Sequence, residues 1–379
     1  MPAELRVRPV VSSADRRAFV DLVWDVYKDD PAWVPPLKSE VHGLLNPKKN
    51  PWFGHARAQL WLAERGGRAV GRISAQVDAL VQEHMAPGTG HWGMFEALDP
   101  EAAAALIETA EQWLRDTGMT RALGPISISI WDEPGLEISG FEQPPTVMMG
   151  HHRPEYRGWI EAAGYAKARD LLTYELAIDQ WSDGLADRIV AAGDKNERIR
   201  IRTVDKSRFA SEARIILNLL NDAWSGNWGF VPLTEDEIAY AGKKLKPIIF
   251  EDLVRIAELD GEPVAFMMTL PDINELIADL NGRLFPFGWA KLLWRLRNPR
   301  TKRVRVPLMG VASRLHNSRM ATQLAFMLIE YTRRVAVTKY GVGHGEFGWI
   351  LEDNKGMMSI AELPGTRLNH VYRVFEKAL

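Results

Sequence analysis

The residues best suited to chemistry lie in the run RVRVPLMGVASRLHNSRMATQLAFML, positions 303–328. Val304, Val306, Leu308 and Val311 give its first part strand character. Positions 312–319 break that pattern with Ser, Asn, His and Arg. Met320, Leu324, Met327, Leu328 and Tyr331 then fall at helical spacing. A helix that opens off a buried strand leaves backbone N–H groups without partners in its first turn. With the positive end of the helix dipole, those groups can hold a phosphate. Arg314, His316 and Arg319 stand beside them. The same residues also fit a plain connection with solvated charges, so residue types alone leave two readings open.

The elements that would position this stretch occur twice. In the first half, 5–11 reads as a strand and 14–27 as a helix capped by Ser12 or Ser13. Positions 58–64 and 69–75 read as a hairpin about Arg65-Gly66-Gly67. A strand at 92–96, a helix from Asp99 to position 116 closed by Gly118, and a strand at 121–126 follow. The second half repeats the order: a strand at 199–204, helices at 207–224 and 234–245, and a hairpin at 253–259 and 263–270. Thr234 and Glu237 have the spacing of a capping box. The repeat is about 190 residues long and is carried by the order of elements rather than by identity. It predicts one domain at 1–180 and a second at 181–379, with a helix at 181–196 leading into the second.

Composition narrows the function. The 379 residues are 46% hydrophobic with a net charge of −2, which argues against a nucleic-acid surface. There is no cysteine, so thiolate catalysis and Cys-based zinc sites are excluded, and a reducing cytoplasm suits the chain. No apolar run approaches the roughly 20 residues that a membrane helix needs. The N-terminus lacks an apolar signal segment. The histidines show no metal-ligand spacing, so no metal is expected. A hydrolase of the Nudix kind needs a Gly-led, Glu-rich helix, and none is present.

Two stretches remain as candidate substrate contacts. Positions 124–140 are polar and punctuated by glycine. They offer Trp131 and Asp132 to a substrate, or form a surface hairpin. The insertion 271–302 ends in LFPFGWAKLLWRLRNPRTKR, where Trp289 and Trp294 alternate with Lys and Arg. A basic, Trp-bearing amphipathic helix reads as a membrane-surface element over 284–303, as a cover for a greasy ligand, or as a lid packed on its own core. The 14 tryptophans fit aromatic pockets or an interfacial surface.

The strand, loop and helix at 303–328 resemble the acyl-CoA-binding element of the GNAT acyltransferases. Their loop reads Gln/Arg-x-x-Gly-x-Gly/Ala, and its amides cradle the pyrophosphate of coenzyme A. Here His316 takes the first place, Arg319 the first Gly place and Ala321 the last. The run GHGEFGWILEDNK at 343–355 and TRLNHVYRVFE at 366–376 resemble the fifth strand, fourth helix and final strand of such a domain. Nearly the whole chain also resembles a narrower bacterial group to which ceramide synthase activity has been assigned. The shared phrases include VYKDDPAWVPPL, NPKKNPWFGHARAQLWLAERGGRAVGRISA, WGMFEALD, ALGPISIS, GLEISGF and GEFGWILEDN.

The resemblance implies an α/β (α+β) fold of two tandem GNAT-like domains, each a mixed central sheet flanked by helices. It implies acyl-CoA as co-substrate, held by Val311, Ala312, Arg314, His316, Asn317, Ser318, Arg319, Met320 and Ala321. The N-terminal copy has Asp99 and Glu101 where phosphate would sit, so it is expected to lack cofactor. The implied reaction is direct attack of an amine on a long-chain acyl thioester. Its acceptor is a lipid amine such as a sphingoid base. Catalysis then requires a base, an N–H donor for the thioester oxygen and an acid for the leaving thiolate. Glu346 is the expected base, with Glu352 and Asp353 at the end of its strand and His344 as competitor. The amides of Val311 and Ala312 are the expected donors, and Tyr372 the thiol acid, with Tyr331 and Tyr340 as competitors. Asn354 is expected to cap the next helix and to contact substrate. The expected location is the cytoplasm, with peripheral contact on the inner face of the membrane. Two other classes stay open: a tandem GNAT enzyme dependent on aminoacyl-tRNA, and a non-catalytic acyl-CoA or lipid binder.

Overall fold

The structure, a computed structural model, describes residues 4–181 and 184–379. The chain divides into two compact units. Unit 1 holds the chain up to Leu171 together with Leu280–Arg283 and His370–Leu379. Unit 2 holds Leu172–Asp279 and Leu284–Asn369.

In chain order, unit 1 contains β1 (Leu5–Pro9), α1 (Ser13–Val26), α2 (Lys38–Leu44), β2 (Ala56–Arg65), β3 (Arg68–Asp78), α3 (Ala79–His84), β4 (Thr89–Ala97), α4 (Pro100–Asp116) and β5 (Arg121–Gly124). Three short strands follow: β6 (Ile126–Ser127), β7 (Glu133–Pro134) and β8 (Leu136–Ser139). Then come α5 (Glu155–Ala162) and β9 (Ala166–Ala177), whose second half is counted in unit 2. Strands β1 to β4 pair antiparallel in sequence, and β5 joins β4 in parallel. Ser12 and Asp15 form a capping box at α1. Helix α4 buries a stripe of Ala103, Leu106, Ile107, Ala110 and Leu114 in the unit's core.

Unit 2 repeats the plan. It contains α6 (Gly184–Asp194), β10 (Ile199–Thr203), α7 (Phe209–Trp224), α8 (Glu235–Leu245), β11 (Val254–Leu259), β12 (Glu262–Pro271), α9 (Ile273–Ile277), α10 (Gly288–Arg297), β13 (Arg303–Val311), α11 (Arg319–Tyr340), β14 (His344–Leu351) and α12 (Lys355–Ala361). The final strand, β15 (Thr366–Ala378), begins in unit 2 and ends in unit 1. Strands β10 to β13 are antiparallel, and β14 joins β13 in parallel. The expected helix at 181–196 is α6; residues 182 and 183 of that expectation lie outside the described residues. Helix α11 buries Leu324 and Leu328 against Ala265 and Met267 of β12. Gly341 ends α11 with φ 68°, a left-handed turn that glycine adopts without strain.

Positions 124–140 carry a hairpin, β6 paired with β7, but it is packed within unit 1 rather than on its surface. Ile128, Ile130, Leu136 and Glu137 are buried. Strands β4 and β5 pair only from Thr89 to His91, and the chain turns at Pro125 directly after β5. The space that opens beside β4 is filled by this segment. The Met94 N–H donates to Ser127 Oγ at 3.1 Å. A Cβ on Gly93 would lie 2.1 Å from the Ile126 carbonyl oxygen, so the two backbones touch. At the start of α4, Asp99 caps the Ala102 N–H at 2.9 Å, and Arg65 bridges Asp99 at 2.5 Å and Glu101 at 2.6 Å.

Unit 1 also buries a carboxyl at the end of β4. Glu96 accepts hydrogen bonds from Tyr27 at 2.8 Å and Tyr156 at 2.9 Å, with Arg72 3.6 Å away. Burial pushes its pKa up to about 7, from 4.5, against the pull of Arg72 and the two hydroxyls. The folded state therefore holds this proton more tightly than the unfolded chain does. The group favours folding most below about 4.5 and loses that contribution as pH rises through about 7, by on the order of 3 kcal/mol. Glu96→Gln should flatten the fall in melting temperature over that window, measured by calorimetry across pH. An unchanged slope would mean that Glu96 is already ionised throughout.

Candidate active site

Strands β13 and β14 pair in parallel from Arg303 with His344 to Val306 with Phe347, and no further. Pro307 follows. It has no N–H to donate to the ladder, and its ring crowds the neighbouring chain. Beyond it the two strands part, and Pro307, Met309, Gly348 and Trp349 line the resulting cavity. The cavity measures about 110 Å³. That is of the order of the roughly 150 Å³ core cavity known to hold one benzene ring. The wall is mainly apolar, with Leu176, Ile178, Trp224 and Ile360 among its residues.

On its other side β13 stays bonded to β12, with Leu308 opposite Met268 and Val311 opposite Ala265. The Ala312 N–H donates to the Val264 carbonyl at 2.7 Å. Antiparallel alternation then turns the Leu308 and Gly310 amides towards β12, and those of Met309 and Val311 away from it. Two carbonyls on that outer edge show the same direction. Met309 O accepts from the Trp224 indole at 3.0 Å, and Val311 O from His316 Nε2 at 2.8 Å. The Met309 and Val311 N–H groups therefore face the fork. This corrects the expectation for Ala312: its amide is committed to the sheet, and Met309 supplies the second outward donor.

The loop that follows brings the remaining phosphate candidates together. Asn317 takes a left-handed φ of 59°, which Asn tolerates better than most residues. Ser318 caps α11 by accepting from the Ala321 N–H at 3.1 Å. The amides of Arg319 and Met320 occupy the first turn, where a helix offers no acceptor. The side chains of Arg314, His316 and Arg319 are exposed around them. Arg314 makes a long ion pair with Glu262, at 3.5 Å. Asp222 anchors the loop by accepting from Ser313 N and Ser313 Oγ, both at 2.7 Å. Burial works to raise its pKa, but the Ser313 donors, with His316 and Arg314 near, hold the carboxyl below its usual range.

Glu346 lies on β14 in the cavity wall and is 1% exposed. Asn369 Nδ2 donates to its Oε2 at 2.6 Å. Its neighbour across the ladder is the buried Arg305, which donates to the Gly348 carbonyl at 2.9 Å. Asn354 caps α12 through the Met357 N–H at 3.1 Å and also lines the cavity. Glu352 and Asp353 sit in the turn before it and are not among the lining residues.

Other expected residues are not in this cavity's wall. Tyr372 belongs to unit 1, where it is buried and donates to the Gly150 carbonyl at 3.0 Å. Trp131 and Asp132 also belong to unit 1, tied to Ser129 at 3.2 and 2.6 Å. Trp289 and Trp294 lie on α10, outside the cavity wall. Among the described residues no His, Asp and Glu cluster could hold a metal. Sequence reasoning missed Met309, Asp222, Trp224, Arg305 and Asn369. Pro307 was the readable signal for the fork: a proline inside a strand stops a ladder.

No family model matches the chain. A bacterial ceramide synthase of Caulobacter vibrioides (strain NA1000 / CB15N) is 44% identical over 382 residues, spanning 100% of this chain and 98% of that protein. Protein YghO of Escherichia coli (strain K12) is 42% identical over 379 residues, spanning 98% and 95%. Among solved structures, a tandem GNAT protein from the clavulanic acid biosynthesis pathway superposes with a TM-score of 0.57 at 15% identity, covering 99% of this chain and 98% of that one. A GCN5-related N-acetyltransferase from Sphaerobacter thermophilus gives 0.53 at 14% identity, covering 99% and 95%. At such identities the structures show the fold, and that fold is the expected pair of GNAT domains. Near-complete coverage at over two-fifths identity settles the kinship: the chain belongs to the bacterial ceramide synthase family of tandem-GNAT N-acyltransferases.

Proposed function

We propose that the fork between β13 and β14 is the site of an acyl-CoA-dependent N-acyltransferase that acylates a lipid amine, as in ceramide synthesis. The observation that carries this is the coincidence of two features. Outward amides of Met309 and Val311 sit at the fork, and one turn later the chain presents the first-turn amides of α11 beside three cationic side chains. The amides of Arg319 and Met320, with Arg314, His316 and Arg319, suit the pyrophosphate of coenzyme A. The Met309 and Val311 N–H groups then meet the thioester oxygen and its developing charge. The amine nitrogen attacks the carbonyl carbon, the carbon–sulfur bond breaks, and the thiolate leaves. Glu346 takes the proton from the amine, directly or through water, and Asn369 holds that carboxylate in place. Unit 1, whose comparable opening is filled by its own chain, works without cofactor in this reading.

The acyl donor is a long-chain acyl-CoA and the acceptor an amine such as a sphingoid base, as the ceramide synthase relative's name suggests. Residues 284–303 support delivery from a membrane. Phe285 is 80% exposed and Trp294 74%, with Phe287, Trp289 and Leu293 also outward. Lys291 and Arg295 are paired with Asp279, and Arg297, Arg300 and Lys302 add positive charge beside them. Apolar rings rimmed by cations suit an anionic leaflet. No helix among the described residues is long and apolar enough to cross the bilayer; in this reading the contact is peripheral, on the cytoplasmic side. A second reading, an acyl-CoA binder without turnover, is favoured by the loop's lack of glycine, since Arg319 stands at the first Gly place. Turnover separates the two.

Glu346→Gln should lower kcat about 100-fold or more while acyl-CoA still raises the melting temperature. The assay is free-thiol release together with mass spectrometry of the acylated amine. Retained kcat would move the base elsewhere. Replacing Trp289 and Trp294 together by Ser should cut co-sedimentation with vesicles containing anionic phospholipid by about tenfold, without loss of melting temperature. Equal sedimentation of both proteins would remove the membrane contact from the account.

A further inference from the structure

Two buried threonines line the fork, Thr269 and Thr332. Thr269 is 1% exposed and Thr332 2%. Among the described residues, neither Oγ1 has a hydrogen-bond partner. Both residues line the same mainly apolar cavity, Thr269 from β12 and Thr332 from α11. Buried polar groups are nearly always paired, because a hydroxyl taken from water and left unpaired destabilises the fold.

Local structure sharpens the point. A threonine inside a helix usually closes its hydroxyl onto the carbonyl four residues back. Thr109 does this at Ala105, and Thr338 at Arg334, both at 2.7 Å. Thr332 lies on the same helix as Thr338 and does not. Thr269 stands where the β12–β13 register shifts, between Met268 and Leu270, opposite the stretch that contains Pro307. Valine has nearly the same shape and would carry no unpaired hydroxyl at either place.

We infer that Thr269 and Thr332 bind an oxygen substituent, a hydroxyl or a ketone, on the lipid chain of a substrate, close to the reacting carbon or nitrogen; this rests on the acyl-transfer reading above. A hydroxyl both donates and accepts, so the pair serves either form of oxygen. The small cavity confines that oxygen to the few carbons nearest the reacting centre. The same chemistry can enter on the acyl chain, as an oxygen at its second or third carbon, or on the amine, as an oxygen beside the nitrogen-bearing carbon.

The test compares the full-length wild type with the Thr269→Val, Thr332→Val and double variants in two substrate series. One series pairs acyl-CoAs of equal length with and without the hydroxyl. The other uses lipid amines of equal length bearing a hydroxyl, a ketone or neither. The reading is the ratio of kcat/KM, oxygenated over plain. Wild type should favour the oxygenated member of one series by about tenfold or more, and the double variant should bring that ratio near one. The series that responds identifies the source of the oxygen. Equal ratios in wild type and double variant, or a wild-type ratio of one in both series, would overturn the inference. A double variant that melts well below wild type would also overturn it, by showing that the hydroxyls were already paired in the free protein. Failure of wild type to acylate any amine is a different result. It would remove the transferase reading and this inference with it.

Discussion

Parallel pairing of β13 with β14 can continue only while both strands keep offering N–H groups, and Pro307 ends that supply after Val306. Strand β13 does not stop there. Its other edge stays bonded to β12 as far as Ala312. One edge of a rigid strand is thus opened while the strand itself is held. The Met309 and Val311 amides gain a fixed direction from that support, as the proposed stabilisation of a thioester oxygen requires. The loop proposed to hold phosphate depends on the same strand, because Ser318 and Arg319 start α11 only a few residues after β13 ends.

The two units share one topology and treat the opening beside the fourth strand differently. In both, four antiparallel strands are followed by a fifth that pairs in parallel with the fourth. In both, a proline stands where the parallel ladder stops, Pro125 in unit 1 and Pro307 in unit 2. In unit 1 the opening is filled by the chain: Ser127 takes the Met94 amide, and the Ile126 backbone presses on Gly93. The first turn of α4 is likewise satisfied from within, by Asp99 and by Arg65 bridging Asp99 and Glu101. Negative charge there stabilises the helix and repels a phosphate.

Much of this was legible in the sequence. Period and caps located α1, α4, α8 and α11, and hairpin turns at Gly66-Gly67 and Asp260-Gly261 located the paired strands. The order of those elements gave the repeat. The loop at 311–321 could be found because charges and a strand-to-helix change fall together there. What stayed hidden depends on distant parts of the chain. Asn369 reaches Glu346 across 23 positions, and Asp222 reaches Ser313 across 91. The direction of the Ala312 amide follows from register, and a one-residue shift would have reversed it. Positions 124–140 look polar and exposed in sequence, yet they are buried because unit 1 has an opening to fill.

In the proposed reaction, acyl-CoA binds at the fork and loop of unit 2. Hydrogen exchange read by mass spectrometry, with and without a non-hydrolysable acyl-CoA analogue at saturation, tests it directly. The account predicts slowed exchange at Met309, Val311, Arg319 and Met320, and no change at 94–102 of unit 1. Protection of 94–102 in place of 309–320, or no protection of 309–320 at saturation, would contradict it.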